Sequence, residues 1–475
     1  MSHPVAPVTD RQLQALVARD QVEGRLPSVA AGVVRDGRLV WTGEHGRVVD
    51  AADTAADTGA GGGGAEPQGP SPDTQYRIGS ITKTMTAVLV LQLREEGRLN
   101  LSDPLGAHLP GVGYGDRTVR SLLAHSSGMQ SEPAGSWWER SPGSDFEELA
   151  AGVDDGAAVF EPGRTYHYSN LAFGLLGEVV ARQRGQSWWE AVRTRILEPL
   201  GMRRTSYLPV APAATGFSVH AFAGTLTQEP AQDTGAMAPA GQVWSTVEDL
   251  ATYAGFLIDG HAQVLSRSAL EEMSTPQSGS LSGGASGGYG LGLRLLAGGS
   301  GVLVGHTGSM PGFLAGLFVD RARRTAAVAL ANGTQGLRCE GLPSDLLDTL
   351  ERLEPTVPAP WEPTRQLPEG IAELLGVWHW GNTAYTFCYQ HGEVQARALG
   401  STAISHRFAP AGDGTLVGLA GYHHGERLRA VRNADGSINH LLCATFVYTR
   451  TPYDPQAPIP GGVPAERGRG LSSPG

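Results

Sequence analysis

Lys83 is the only lysine in this chain; every other basic residue is arginine. Arginine stays protonated in proteins, whereas a partly buried lysine can give up its proton and act as a base. Ser80 precedes it in the string Arg77-Ile78-Gly79-Ser80-Ile81-Thr82-Lys83. On a helix, positions three apart share a face, so the amine can reach the hydroxyl. A serine hydroxyl attacks poorly until a neighbouring base activates it. An isolated Ser-x-x-Lys is usually a coincidence on a solvated helix start; the scarcity of lysine is what singles this pair out.

Two further strings accompany it: Tyr166-His167-Tyr168-Ser169-Asn170-Leu171 and Val304-Gly305-His306-Thr307-Gly308-Ser309. Taken singly, Tyr168 also reads as a core tyrosine and Asn170 as a helix N-cap. Taken together and in this order, the strings resemble the serine β-lactamase-related hydrolases of the class C type, which include penicillin-binding-protein-like esterases and D-aminopeptidases. Supporting strings are Leu122-Leu123-Ala124-His125-Ser126-Ser127-Gly128-Met129 and Tyr289-Gly290-Leu291-Gly292. The resemblance spans roughly Asp10 to Leu353.

The resemblance implies that Ser80 attacks an acyl carbonyl to give an acyl-enzyme, with Lys83 and Tyr168 sharing the proton traffic. Either could be the acylation base; Tyr168 qualifies only if its phenol is tuned below its ordinary pKa of roughly 10. Asn170 would donate to Lys83 or to a substrate amide. His306, Thr307, Gly308 and Ser309 would line the substrate, with the backbone N–H groups of Ser80 and Ser309 forming an oxyanion hole. True β-lactamases carry lysine where this chain has His306. A histidine is only partly charged near neutral pH, so the departure favours neutral acyl substrates. The expected function is a metal-free serine hydrolase acting on carboxylic esters or small amides. The alternatives are a true β-lactamase or D-amino-acid peptidase, and a non-catalytic scaffold that binds an acyl ligand. The retained lysine argues against the scaffold, which would tolerate arginine. His125 and Asp103, both in turn-like strings, read as structural.

The elements that must position these residues are legible in part. Residues from Ser80 through Met85, Val88, Leu89 and Leu91 read as a helix that Gly97 ends. Other helical stretches run from Asp10, a candidate N-cap, to Glu23, from Leu171 to Arg182, from Trp188 to Leu197 and from Leu342 to Leu353. Another starts near Val247, with Ser245 or Thr246 as N-cap. Ser28–Arg35, Asp36-Gly37 and Arg38–Thr42 form a hairpin signal. Tyr289–Leu296, Gly301–His306, Gly312–Asp320 and Thr325–Ala331 alternate with strand period. Strands at both ends with helices between give an α/β class whose sheet is assembled from distant parts of the chain. The resemblance makes it a β-lactamase/transpeptidase-like antiparallel sheet flanked by helices. Short, evenly spaced strands after the linker add a small C-terminal all-β, barrel-like domain.

The expected organisation is a hydrolase domain over 1–353 with a low-complexity loop at 51–73, a Pro-rich linker at 354–369, a β domain at 370–452 and a disordered tail at 453–475. The chain has 475 residues, 40% hydrophobic and 17% charged, with a formal net charge of −11. That balance suits a soluble enzyme and argues against nucleic-acid or anionic-membrane partners. The expected partner is a small-molecule acyl substrate, the expected state a monomer or homodimer. No cofactor is implied. Cys339, Cys388 and Cys443 are too sparse for a disulfide framework or a zinc site, and His379, His391, His423 and His424 too dispersed to specify a metal. The N-terminus shows no signal peptide, so the expected compartment is the cytoplasm.

Overall fold

The computed structural model describes residues 4–48, 69–279, 287–298, 301–357 and 360–462. Most of the expected low-complexity loop and of the expected tail lie outside these residues. The chain divides into two compact units, Met1–Val357 and Pro358–Gly475; the division falls inside the Pro-rich stretch.

The first unit is built on an eight-stranded sheet. Its strands are β1 (Ser28–Arg35), β2 (Arg38–Gly46), β3 (Ser278–Gly279), β4 (Gly288–Tyr289), β5 (Arg294–Gly298), β6 (Gly301–Met310), β7 (Phe313–Asp320) and β8 (Thr325–Ala331). Their order is β2-β1-β8-β7-β6-β5-β4-β3, and all pairings are antiparallel. The N-terminal hairpin thus joins strands almost three hundred residues away, at registers such as Ala31↔Ala329.

Both faces of the sheet are covered, which explains why β8 is buried along its whole length. Alternate residues Val29, Ala31, Val33, Ala327 and Ala329 pack under α1 (Pro7–Gly24) and a C-terminal helix, Gly341–Leu353, through Leu13, Val17, Leu342, Leu346 and Leu350. The intervening residues Ala30, Val34, Val328 and Leu330 face the larger core, which contains α2 (Thr82–Glu95), α3 (Asn170–Arg184) and α4 (Val247–Asp259). The Gly341–Leu353 helix is α5. The period-two split places two cores on one sheet.

Residues Thr82 to Leu93 of α2 are all buried. Its apolar residues pack on every side and its buried polar ones, such as Thr84 and Gln92, find hydrogen-bond partners, and the helix ends with Gly97 at φ +68°. Two local expectations change, and the choice between Ser245 and Thr246 is resolved. Asp10 is not an N-cap: α1 starts at Pro7, and the Asp10 carboxylate accepts from Trp41 Nε1 at 2.9 Å. Ser169, not Asn170, caps α3, its Oγ accepting from Ala172 N. Thr246 caps α4 by accepting from Asp249 N.

The second unit is a closed barrel of eight strands: β9 (Gly376–Trp380), β10 (Thr383–Gln390), β11 (Glu393–Ala398), β12 (His406–Pro410), β13 (Leu416–Ala420), β14 (Arg427–Arg432), β15 (Ile438–Cys443) and β16 (Phe446–Thr449). Pairing of His379 with Thr449 closes it, which removes the exposed edges of an open sheet. Trp378, Phe387, Val394, Phe408, Leu428 and Tyr448 fill the interior, as the narrow bore of eight strands requires. Among the described residues no helix is long and apolar enough to cross a membrane.

Candidate active site

Ser80 lies in a 3-10 turn, Gly79–Ile81, immediately before α2 and not inside the α-helix. Gly79 holds φ +52° there, and a Cβ on it would fall 2.5 Å from the Ser309 nitrogen. Only glycine permits that backbone and that approach. One turn on, the fully buried Lys83 donates from Nζ to Ser80 Oγ at 2.8 Å and to the Ala240 carbonyl at 2.6 Å. Burial draws the Lys83 pKa down to about 7, against an opposing pull from Glu132 and Glu139. An amine at that value is half unprotonated at neutral pH and can accept a proton from the hydroxyl it touches.

The Tyr168 phenol lies near enough to the Ser80 hydroxyl to feel it, and Lys83 Nζ stands 5.0 Å from its ring centroid. Burial raises the phenol above its ordinary value. The adjacent lysine therefore does not tune Tyr168 into a phenolate, and Tyr168 enters as a neutral O–H. Its ring leans on His125, with centroids 4.2 Å apart. His125 is fully buried in a left-handed turn at φ +52°, and its Nδ1 accepts the Ser169 N–H at 3.0 Å. The Leu122–Met129 string thus supports the tyrosine from behind. Asp103 sits in its turn, accepting from Asn100 N at 2.7 Å and pairing with His108.

Asn170 does not reach Lys83 by a hydrogen bond. Its Nδ2 donates to Glu132 Oε1 at 2.7 Å, and its buried Oδ1 has no hydrogen-bond partner. Glu132 Oε2 accepts from Trp138 Nε1, also at 2.7 Å. Glu132 and the partly buried Glu139, whose own pKa burial raises, put negative charge near the lysine.

The third string runs along β6. A Cβ on Gly308 would fall 2.0 Å from the Ile78 carbonyl oxygen, so the strand and the segment entering the Ser80 turn are in backbone contact. This brings the Ser80 turn and Ser309 side by side, as an oxyanion hole requires. A cavity of about 370 Å³ opens beside Thr307, Gly308 and Ser309, with Leu314, Arg338 and Glu340 among its other walls.

His306 departs from expectation. It is buried, its Nδ1–H donates to the Thr307 carbonyl, and its Nε2 accepts from the Tyr289 hydroxyl at 2.9 Å. Burial and the Lys83 charge lower its pKa to about 3. The ring is therefore neutral, not partly charged, at ordinary pH, and both nitrogens are engaged. His306 braces β6 from within. Sequence reasoning assigned no role to Glu132, Tyr289 or the Ala240 carbonyl. The Tyr289-Gly290-Leu291-Gly292 string was a usable signal for the second; a backbone carbonyl leaves none.

A family described as Beta-lactamase matches residues 11–348, and one described as Domain of unknown function (DUF7586) matches residues 367–450. Protein flp of Staphylococcus aureus (strain COL) is 27% identical over 206 residues, covering 42% of this chain and 38% of that protein. The chain therefore spans less than half the length of such curated relatives. The octameric penicillin-binding protein homologue from Pyrococcus abyssi superposes with a TM-score of 0.62 at 23% identity, over 93% of this chain and 100% of that one, a likeness of fold. A D-stereospecific amidohydrolase from Streptomyces sp. superposes with a TM-score of 0.56 at 27% identity, over 72% of this chain and 97% of that one.

Proposed function

The chain belongs to the Beta-lactamase family, and from that membership we propose that it is a serine hydrolase forming an acyl-enzyme on Ser80, acting on small amides or carboxylic esters. One observation carries the reading: a fully buried amine with its pKa drawn to about 7 rests against the Ser80 hydroxyl. Unprotonated Lys83 takes the Ser80 proton as Oγ attacks the acyl carbonyl. The Ser80 and Ser309 N–H groups receive the oxyanion. The Lys83 ammonium returns a proton to the departing amine or alkoxide through the Tyr168 hydroxyl, and water then cleaves the acyl-Ser80 bond by the reverse relay. Tyr168 carries the proton without becoming a phenolate base, because burial opposes its ionisation.

The charge around the nucleophile narrows the substrate. His306 is neutral where a cation would hold a substrate carboxylate, while Glu132 and Glu139 bias the same region negative. That pattern favours an acyl group bearing an amine over a carboxylate-bearing lactam. The likeness to a D-stereospecific amidohydrolase supports the amide among the proposed substrates.

The deciding experiment is intact-mass spectrometry after brief exposure to amino-acid p-nitrophenyl esters and amides. A covalent acyl adduct is expected on the wild type and none on Ser80→Ala. An adduct that persists in Ser80→Ala removes Ser80 from the reaction.

A further inference from the structure

The barrel carries a donor cluster that the hydrolase chemistry does not use. Between β13 and β14 the chain reads Gly421-Tyr422-His423-His424-Gly425-Glu426. The loop is pinned to β13: Gly418 N donates to the Glu426 carbonyl, and Gly425 N to the Gly418 carbonyl, each at 2.8 Å. A Cβ on Gly418 would fall 1.8 Å from the His423 carbonyl oxygen, so only glycine lets the loop fold this close. His423 is thereby turned inward and fully buried.

The two His423 nitrogens differ. Nε2 is 2.8 Å from the Tyr448 hydroxyl. Nδ1 is buried and has no hydrogen-bond partner. Glu426 Oε2 stands 3.7 Å from it, beyond hydrogen-bond length, and Cys443 Sγ lies 3.8 Å from that same oxygen. The imidazole nitrogen, carboxylate oxygen and thiol sulfur lie within 4.8 Å of one another. A buried nitrogen left without a hydrogen-bond partner is unfavourable and calls for a physical reason.

We propose that His423 Nδ1, Glu426 and Cys443 Sγ bind a divalent transition-metal ion, zinc by the character of the donors, with a fourth position open to water. Imidazole, thiolate and carboxylate together suit zinc, whereas magnesium and calcium take oxygen alone. Zinc bonds of about 2.0–2.3 Å bring ligand atoms of a tetrahedron to about 3.3–3.7 Å apart; the two spacings to Glu426 already come close to this, while the nitrogen–sulfur spacing, within 4.8 Å, must close by up to about 1.3 Å as the exposed loop and its side chains adjust. When Nε2–H donates to Tyr448, the Nδ1 lone pair is free to bind an ion. Tyr448 is then the outer partner that orients the imidazole. The His406 ring, 4.6 Å from that of His423, walls the site. Binding converts the Cys443 thiol to thiolate and releases its proton to solvent. The ion would tie the loop to the end of β15.

The test strips the full-length protein with a chelator and titrates it with Co²⁺, then Zn²⁺. The expected result is Co²⁺ binding with a sulfur-to-cobalt charge-transfer band that Zn²⁺ bleaches. The band disappears in Cys443→Ser and survives in Cys339→Ser and Cys388→Ser. Because Cys443 is in the barrel core, Glu426→Gln on the exposed loop is the independent variant: it keeps the barrel's circular dichroism and loses affinity. Tyr448→Phe weakens binding about 10- to 100-fold. Absence of a thiolate band, its persistence without Cys443, or unchanged affinity in Glu426→Gln overturns the assignment.

Discussion

The Tyr289 hydroxyl donates to His306 Nε2 across 2.9 Å, in a part of the core that water does not reach. Because the Nδ1–H of the same ring is committed to the Thr307 carbonyl, this bond secures one neutral tautomer and with it the inner face of β6. Tyr289→Phe leaves Nε2 buried without a donor. The expected cost is about 1–3 kcal/mol of unfolding free energy, read from urea denaturation. An unchanged midpoint would show that the bond carries none of the strand's stability.

The pH dependence of kcat/KM follows from Lys83. The unprotonated amine is the active form, so activity falls as pH drops below about 7, approaching tenfold per unit. His306, with its pKa near 3, adds no step above pH 5. A profile flat from pH 5 to 8 is incompatible with lysine as the base.

Lys83→Met should abolish hydrolysis and leave the fold intact, and Lys83→Arg should also be inactive because guanidinium cannot give up its proton. The stability comparison has a definite sign. The folded pKa, about 7, lies below the unfolded value of roughly 10.4. Between those values the unfolded chain binds the extra proton, so wild-type stability declines as pH falls from 10 to 7. Lys83→Met lacks this decline, and urea midpoints at pH 9.5 and 7 should separate the two proteins. Parallel behaviour would mean the amine is not desolvated.

Gly308→Ala tests the contact between strand and nucleophile turn. Its Cβ would meet the Ile78 carbonyl at 2.0 Å, backbone against backbone. Ser309 N–H then moves away from Ser80, and kcat should drop about a hundredfold or more while far-ultraviolet circular dichroism is retained. Full activity would place the oxyanion elsewhere.

Substrate charge is read by pairing an amino-acid amide with its N-acetyl derivative. The free amine should be preferred, and Glu132→Gln should erode that preference chiefly through KM. Equal turnover of the two amides by the wild type would exclude Glu132 and Glu139 from substrate recognition.

What could be read along the chain was what is local. Ser80 and Lys83 are one helical turn apart, so their contact follows from spacing alone. The hairpin at Asp36-Gly37, the glycine after α2 and the period-two runs of β6 to β8 are written in consecutive residues. The resemblance of the motifs brought Tyr168 and His306 into the same frame. Tertiary structure decided everything that depends on distant neighbours. Asn170 turned to Glu132, Lys83 found the Ala240 carbonyl, and Cys443 came to rest beside His423 and Glu426. No periodicity relates such positions. Protonation belongs to the same class, because a pKa is set by burial and surrounding charge. Thus Lys83 became a base near pH 7 and His306 a neutral brace only once the core closed around them.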